Sequence, residues 1–233
     1  MKKLSYYFFK KRLLRDNLFA LVLATLIIAF IFLFFFFGAA IGSLVILEDL
    51  IRFDHYLHSS MISARTTGLV HFFLLITNLA SSWFAISLSV VFVAFLFLKK
   101  KKNYVFPFLV SLTGGMLTNF LGKFLIRRLR PVEPVYLESS YSFPSAHSTL
   151  AVVLYGFIFY YLWRQTKKRS QKNLILVLGI LLILAIGFSR IYLGVHFFTD
   201  VAGGYFLGLA WLCGGIGLVE WRRKKRIQKM LIV

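Results

Sequence analysis

Six long apolar runs, separated by short polar or basic segments, constrain the fold of this chain more than any other feature. A bilayer core about 30 Å thick is crossed by a helix of about 20 mainly apolar residues. Backbone groups in lipid need hydrogen bonds within their own segment, so such runs are expected to be helical. The runs cover residues 18–47, 68–98, 104–122, about 148–163, 174–188 and about 197–219. The pattern predicts an all-α integral membrane protein with six transmembrane helices, in which residues 1–233 form one membrane domain.

The composition excludes an ordinary soluble domain, because 59% of the 233 residues are hydrophobic and 27 are phenylalanine. The formal charge of +20 would suit nucleic acid. The lysines and arginines, however, stand in short clusters beside the apolar runs, without a basic domain to hold a duplex. We therefore predict contact with membrane lipids and no nucleic-acid partner. The single cysteine, Cys213, lies in an apolar run and is interpreted as a packing residue.

The basic clusters predict the orientation of the chain. Residues 1–17, 99–102, 164–172 and the tail after 220 all fall on one side if the runs alternate across the membrane. Positively charged loops favour the cytoplasm, so both termini are predicted to be cytoplasmic. The first run is interpreted as a retained transmembrane helix, since a signal peptide has an apolar region of only about 7–15 residues.

Polar and small residues inside the runs predict contacts between helices. The second run carries hydroxyl and amide side chains near its middle, which are expected to hydrogen-bond to neighbouring helices. They are Thr77, Asn78, Ser81 and Ser82. The Gly114–Gly115 pair in the third run predicts a close helix approach.

Residues 48–67 are mixed in character and predict a short interfacial helix on the far side of the membrane. Asp54, His55 and His58 in this segment resemble metal ligands at first sight. They lack a third partner at suitable spacing, so we do not expect a metal site there, and no other Cys/His cluster exists.

Two polar stretches, residues 123–147 and 189–200, fall together on the side opposite the basic clusters. In the second of these, His196 and Asp200 are four residues apart and would share one face if the segment were helical. An aspartate that accepts the proton of one imidazole nitrogen leaves the other nitrogen basic, so the histidine can act as base or nucleophile. The alternative is an interfacial histidine beside Arg190, an arginine that extends to the headgroups.

Cations end the third run. Lys123 and Arg130 are seven residues apart, nearly two helical turns, so both are predicted to project from one helix face before Pro131 ends the helix. Arg127 and Arg128 are interpreted as a basic stop at the membrane interface.

The fourth run begins at the sequence FPSAHS, where Ser145 is predicted to be a helix N-cap and His147 to lie in the first turn. Exposed amides and the positive end of the helix dipole favour phosphate at such a place. The alternative is a capping box with an incidental histidine.

Together these residues predict a reaction. Three cations (Lys123, Arg130 and Arg190) and a helix N-terminus would neutralise a phosphate dianion. His196, held by Asp200, would be the nucleophile, and His147 would protonate the leaving oxygen and later activate water. No carboxylate cluster offers a Mg²⁺ or Ca²⁺ site, so we expect no metal and no cofactor. The chemistry is phosphoryl transfer to water through a phosphohistidine.

The same three stretches resemble the tripartite signature of the type 2 phosphatidic acid phosphatase (PAP2) superfamily. The chain shows K-x6-RP at 123–131, PSAH at 144–147 and SR-x5-H-x3-D at 189–200. The family usually has glycine where this chain has Ala146. The six-run layout extends the likeness over nearly the whole chain.

The resemblance implies a PAP2-like helical bundle in a bacterial plasma membrane. It implies the same roles for the two histidines and the aspartate, and a phosphate cradle that consists of Lys123, Arg130, Ser145, Ala146 and Arg190. The implied substrate is a lipid phosphate or diphosphate at the outer leaflet. The two leading candidate substrates are undecaprenyl diphosphate and phosphatidylglycerophosphate. Phosphatidate and diacylglycerol pyrophosphate are further candidates. The sequence does not indicate an oligomeric state.

Four other functions compete with hydrolysis. An acceptor alcohol in place of water would make the chain a lipid phosphotransferase. A transporter or flippase would bind lipid phosphate without chemistry, but its site is expected near the bilayer midplane. An inactive scaffold is disfavoured by the intact His147, His196 and Asp200. Vanadate-dependent haloperoxidases share this kind of pocket but are soluble relatives.

Overall fold

The computed structural model describes residues 45–232, with side chains for residues 48–226. These residues form seven helices and no strand. The helices are Val45–Ser63 (α1), Thr67–Asn78 (α2), Ser82–Leu98 (α3), Val105–Ile126 (α4), Ala146–Gln165 (α5), Arg169–Tyr192 (α6) and Phe198–Ile232 (α7). A 3₁₀ turn, Lys102–Tyr104, precedes α4, and α5 contains a π-helical turn at Ala151–Tyr155. The prediction of an all-helical protein is confirmed for this part of the chain.

Four helices, α4 to α7, are long and apolar enough to cross a membrane. The pair α2 and α3 supplies a fifth span if the two are counted as one bent helix. The first predicted run, residues 18–47, lies almost wholly outside the described residues. A multi-pass membrane protein is therefore confirmed, with four or five of the six predicted spans present in residues 45–232.

The second predicted run divides into two helices, α2 and α3, with a bend of 42° between them. Backbone groups freed by a break in a membrane helix need other partners. The hydroxyl of Tyr155 on α5 donates to the carbonyl oxygen of Leu79 at 2.6 Å. Thr77, just before the break, accepts a hydrogen bond from Arg190 on α6 at 2.7 Å. Thr77 thus makes the interhelical contact that was predicted for this run.

The glycine pair predicted to allow a close helix approach lies where α4 packs against α5 and α7. A methyl group at Gly114 would overlap the indole ring of Trp211, and one at Gly115 would lie 3.1 Å from a methyl carbon of Val153. The indole N–H of Trp211 donates to Thr118 at 2.9 Å. The prediction for Gly114 and Gly115 is confirmed.

Glycines of α7 bring α5 close to it. A methyl group at Gly204 would lie 2.6 Å from the carbonyl oxygen of Ser145, and one at Gly208 would lie 2.7 Å from Cβ of Val152. Small residues four apart let the backbones of membrane helices approach closely. The N-terminal turns of α5 and α7 therefore lie side by side.

Gly204→Ala is expected to lower the unfolding temperature in detergent, although Gly→Ala within a helix normally stabilises by about 1 kcal/mol. The new methyl group would collide with the backbone oxygen of Ser145, and overpacking costs about 1–3 kcal/mol. Gly214→Ala on the same helix is the matched control, because nothing lies within 4 Å of its new methyl group. Equal unfolding temperatures for the two variants would contradict the close packing.

Helix α4 ends at Ile126, before the arginines that follow it. Arg127 adopts a left-handed conformation with φ 51°, and its N–H donates to the carbonyl oxygen of Lys123 at 3.0 Å. The prediction that Lys123 and Arg130 project from one helix face is therefore wrong. The residue before a proline disfavours helical backbone, and Arg130 precedes Pro131. Residues 127–145 form an irregular loop instead.

Helix α1 confirms the helix predicted in residues 48–67 and is not among the candidate spans. Asp54 and His58, one turn apart, are buried. Asp54 forms an ion pair with Arg128 at 2.8 Å, and His58 donates to the carbonyl oxygen of Val132 at 2.8 Å. Both partners belong to the loop 127–145, so α1 holds that loop. No cluster of His, Cys, Asp or Glu in the described ranges has the arrangement of a metal site.

Candidate active site

The two polar stretches meet at one end of the helical bundle, as predicted. The N–H of Val135 donates to the carbonyl oxygen of Leu193 at 2.9 Å, which joins the loop 127–145 to the turn after α6. The N–H of Ser145 donates to the carbonyl oxygen of Asp200 at 2.9 Å, which joins the start of α5 to the start of α7. The side chains of both stretches therefore share one site.

His196 lies in the turn before α7, and Asp200 lies in the first turn of that helix. They do not share a helix face, but Nδ1 of His196 is still 3.4 Å from Oδ2 of Asp200. The same oxygen accepts the N–H of Phe197 at 2.8 Å and the hydroxyl of Ser142 at 2.5 Å. Asp200 therefore caps α7 and orients the imidazole at once.

The imidazole of His196 presents its other nitrogen to the rest of the site. Nε2 lies 3.2 Å from Nη1 of Arg130, which also donates to the carbonyl oxygen of Val195 at 2.7 Å. Burial lowers the pKa of His196 to about 4, although Asp200 acts in the opposite direction. The imidazole is therefore uncharged at neutral pH, and Nε2 keeps a lone pair when Nδ1 carries the proton.

Arg190, in the last turn of α6, is fully buried. One terminal nitrogen, Nη1, donates to the hydroxyls of Thr77 and Tyr136, and the other, Nη2, binds the carboxylate of Glu138. Its Nε is buried and has no hydrogen-bond partner among the described residues. An unused buried donor costs about 1–3 kcal/mol. Arg190 thus retains a donor that an oxygen-rich ligand would satisfy.

Glu138 of the loop 127–145 lies between the two arginines. One carboxylate oxygen binds Arg190, and the other is 2.6 Å from Nη2 of Arg130. Burial would raise the pKa of Glu138, but Arg190 and Arg130 outweigh it and lower the pKa to about 2. The carboxylate is therefore ionised and bridges the two cations that were predicted to bind phosphate.

Lys123, Ser145 and Ala146 lie around the same place. The ammonium group of Lys123 is buried and donates to the carbonyl oxygens of Tyr141 and, at 3.3 Å, Ser142. Ser145 is the N-cap of α5, as predicted, and its hydroxyl accepts a backbone N–H of the first turn at 3.4 Å. Ala146 is the first residue of the helix.

His147 lies in the first turn of α5, as predicted. It is within electrostatic range of Arg190, Glu138 and His196. No hydrogen bond to the imidazole comes from the part of the chain that the structure describes, so its nitrogens are available for proton transfer. The structure thus brings all eight predicted site residues to one end of the bundle.

Several polar residues of this site were not predicted from the sequence. Ser142 has its hydroxyl 3.3 Å from Nδ1 of His196. The interpretation of Arg128 as an interface stop is wrong, because it forms ion pairs with Asp200 at 2.7 Å and with Asp54 at 2.8 Å. No motif marked these residues. The sequence offered only a general indication of Arg128, namely that a carboxylate buried at a membrane boundary needs a cationic partner.

Comparisons with known proteins agree with the motifs. Residues 104–224 match the PAP2 superfamily. Phosphatidylglycerophosphatase B of Bacillus subtilis is 39% identical over 137 residues, which cover 58% of this chain and 67% of that protein. Undecaprenyl-diphosphatase of Sulfolobus acidocaldarius is 27% identical over 124 residues, which cover 50% and 55%. The chain therefore spans about two thirds and about half of these relatives.

Solved structures share the architecture. The crystal structure of a transmembrane PAP2-type phosphatidylglycerolphosphate phosphatase from Bacillus subtilis aligns with a TM-score of 0.72 and 32% identity, over 85% of this chain and 96% of that one. The crystal structure of Aquifex aeolicus LpxE aligns with a TM-score of 0.52 and 26% identity, over 70% and 93%. The names of the relatives confirm the predicted enzyme class, a phosphatase. The chain thus belongs to the PAP2 superfamily, as its three motifs predicted.

Proposed function

We propose that the protein is a metal-independent lipid phosphate or diphosphate phosphatase that works through a phosphohistidine at the extracytoplasmic face of the membrane. One observation carries this proposal. The Nε2 atom of His196, directed away from Asp200, lies 3.2 Å from Arg130, which shares the Glu138 carboxylate with Arg190. A nucleophilic atom beside paired cations is the arrangement that phosphoryl transfer requires.

In the first step, Nε2 of His196 attacks the terminal phosphorus atom. A bond forms between nitrogen and phosphorus, and the bond from phosphorus to the leaving oxygen breaks. His147, protonated at this stage, gives its proton to that oxygen. Asp200 stabilises the positive charge that develops on the imidazole ring of His196.

In the second step, water replaces the lipid. His147, now neutral, takes a proton from a water molecule while the oxygen of that water attacks phosphorus. The bond between phosphorus and nitrogen breaks, inorganic phosphate leaves and His196 is restored. Lys123, Arg130 and Arg190 balance the negative charge on the phosphoryl oxygens in both steps, with the hydroxyl of Ser145 and the amide of Ala146 as further donors.

A lipid substrate fits the position of the site at the ends of the membrane helices. The loop 127–145 exposes large apolar side chains, since Val132 and Leu137 are 72% and 90% accessible. Such side chains suit the boundary between headgroups and acyl chains. The names of the two relatives favour phosphatidylglycerophosphate and undecaprenyl diphosphate as substrates. Phosphatidate and diacylglycerol pyrophosphate are further candidate substrates.

Basic residues support the extracytoplasmic placement. Lysines 99–102 lie between α3 and α4, and the basic turn 164–172 joins α5 to α6. Both connections are at the ends of the helices remote from His196 and Asp200. Positive charge favours the cytoplasm, so the site would face the other side of the plasma membrane.

Purified protein in mixed micelles is expected to release inorganic phosphate at an undiminished rate in the presence of EDTA. Lys123, Arg130 and Arg190 supply the positive charge that metal ions supply elsewhere. Phosphatidylglycerophosphate, undecaprenyl diphosphate and phosphatidate would be compared side by side, with calcium-loaded EDTA as the control for effects of the chelator on micelles. Loss of activity that Mg²⁺ restores would overturn the metal-independent mechanism. Absence of release from every lipid by folded protein would favour a transferase or a binding protein.

A further inference from the structure

The two carboxylate oxygens of Asp200 have different neighbours. Oδ2 lies beside the imidazole of His196 and accepts the hydroxyl of Ser142 and the N–H of Phe197. Oδ1 faces the other way and accepts a hydrogen bond from Nη1 of Arg128 at 2.7 Å. The orientation of the carboxylate toward His196 therefore depends on a second cation, Arg128, on its far side.

Arg128 is itself held from three directions. Its Nη1 donates to the hydroxyl of Thr199 at 2.6 Å, and its Nη2 donates to Oδ2 of Asp54 at 2.8 Å. Its guanidinium group also lies 4.5 Å from the centre of the Phe197 ring. The planar guanidinium group bridges two carboxylates, Asp54 and Asp200, which the single nitrogen of a lysine would do less well.

Asp54 completes the arrangement from α1. It is 1% exposed, and its Oδ1 accepts the backbone N–H of Thr199 at 3.0 Å. Asp49, on the same helix, is exposed and makes a long surface ion pair with Arg52 at 3.8 Å. The buried position of Asp54 thus fixes both Arg128 and the first turn of α7.

We propose that Asp54 and Arg128 are positioning residues that act through Asp200, an inference that rests on the proposed role of His196 as nucleophile. Arg128 prevents rotation of the Asp200 carboxylate. Asp54 offsets the charge of Arg128, so that Asp200 remains free to stabilise the positive imidazole formed in the first step. Without Asp54, the positive charge of Arg128 would be balanced by Asp200 alone.

A purely structural role, in which the ion pairs only attach α1 to the bundle, is the alternative. Buried ion pairs are weak evidence for stability, because desolvation offsets much of their attraction. The two roles differ in their kinetics. A positioning role lowers kcat with little change in KM and operates only while Asp200 is present, whereas a structural role is independent of Asp200.

Asp54→Asn is expected to lower kcat by roughly 10–100-fold, the range that applies to residues that orient the ligands of metal sites, with KM changed less than about twofold. The measurement is phosphate release in mixed micelles by protein shown to be folded by its unfolding temperature. Asp49→Asn is the matched control, with the same exchange on the exposed part of the same helix, and it should behave as wild type. Equal kcat for the two variants would overturn the inference.

Coupling to Asp200 is tested by placing Asp54→Asn in an Asp200→Asn background. If Asp54 acts through Asp200, the second exchange is expected to cause almost no further loss of kcat. The same fold loss in both backgrounds would show a structural role and sink the proposal.

If Asp54→Asn does not fold, Arg128→Lys provides a second test of the proposal. The lysine retains the charge but loses the bridge, so a smaller loss of kcat at unchanged KM is expected. Arg127→Lys, on the exposed neighbour, is its control. Wild-type kcat in Arg128→Lys would overturn the inference while the proposed function stands, whereas wild-type protein without phosphate release would overturn the proposed function itself.

Discussion

His196→Ala is expected to abolish phosphate release, with a loss on the order of 10⁴-fold or more, because it removes the atom that would bond to phosphorus. The ring is buried and its Nε2 lies beside Arg130, so no other described side chain replaces it there. The measurement is phosphate release in mixed micelles, together with transfer of labelled phosphate from substrate to protein. A label that survives alkali but not acid is expected in the wild type and absent in the variant.

The control for this experiment is His71→Ala, on an exposed part of α2, which should keep both activity and labelling. His147→Ala is informative as well. Because His147 is proposed to act in both steps, its loss is expected to slow phosphate release, and the fraction of labelled protein at steady state then shows which step is slowed more. Substantial turnover by His196→Ala would remove the nucleophile assignment, whatever the labelling shows.

Asp200→Asn is expected to lower kcat by about 10³-fold. An amide no longer balances a positive imidazole, and its oxygen cannot serve all the donors that the carboxylate accepts, which are His196, Ser142, Phe197 and Arg128. KM should change much less, because Asp200 does not face the proposed phosphate cradle. Kinetics on folded protein would separate these two effects.

The unfolding temperature of Asp200→Asn is part of this test. The exchange leaves Arg128 with one carboxylate partner, so some loss of stability is expected as well. Arg128→Lys weakens the same contact and keeps Asp200, so a similar fall in its unfolding temperature with only the smaller loss of kcat expected above would separate loss of stability from loss of chemistry. Near-normal kcat in Asp200→Asn would mean that the aspartate does not orient His196 during turnover.

The sequence predicted the membrane helices where their pattern is local. Runs of apolar residues predicted α4 to α7, because a helix in lipid satisfies its own backbone groups. The division between α2 and α3 was missed, since two residues that hydrogen-bond beside it, Tyr155 and Arg190, are distant in sequence. The end of α4 was also missed, because the loop after Arg127 is held by tertiary contacts, such as those of Asp54 with Arg128 and of His58 with Val132.

The meeting of the two predicted polar stretches at one end of the bundle has the same kind of origin. The motifs carry residues whose spacing is short within each stretch, such as His196 and Asp200, and the alternation of spans placed the stretches on one side. Asp54 and Arg128 could not be predicted in this way. Asp54 is 146 positions from Asp200, and only the folded chain shows that Arg128 joins them.

The bridge that Glu138 makes between Arg130 and Arg190 means that the resting site already holds an anion of its own. Binding of the proposed lipid phosphate would then be an anion exchange, in which the incoming phosphate competes with a carboxylate that carries one charge. A terminal phosphate with two charges has the advantage in this competition. The headgroups of ordinary phospholipids are phosphodiesters with one charge and lack that advantage. The same carboxylate that neutralises the arginines would therefore keep abundant membrane lipids from occupying the site.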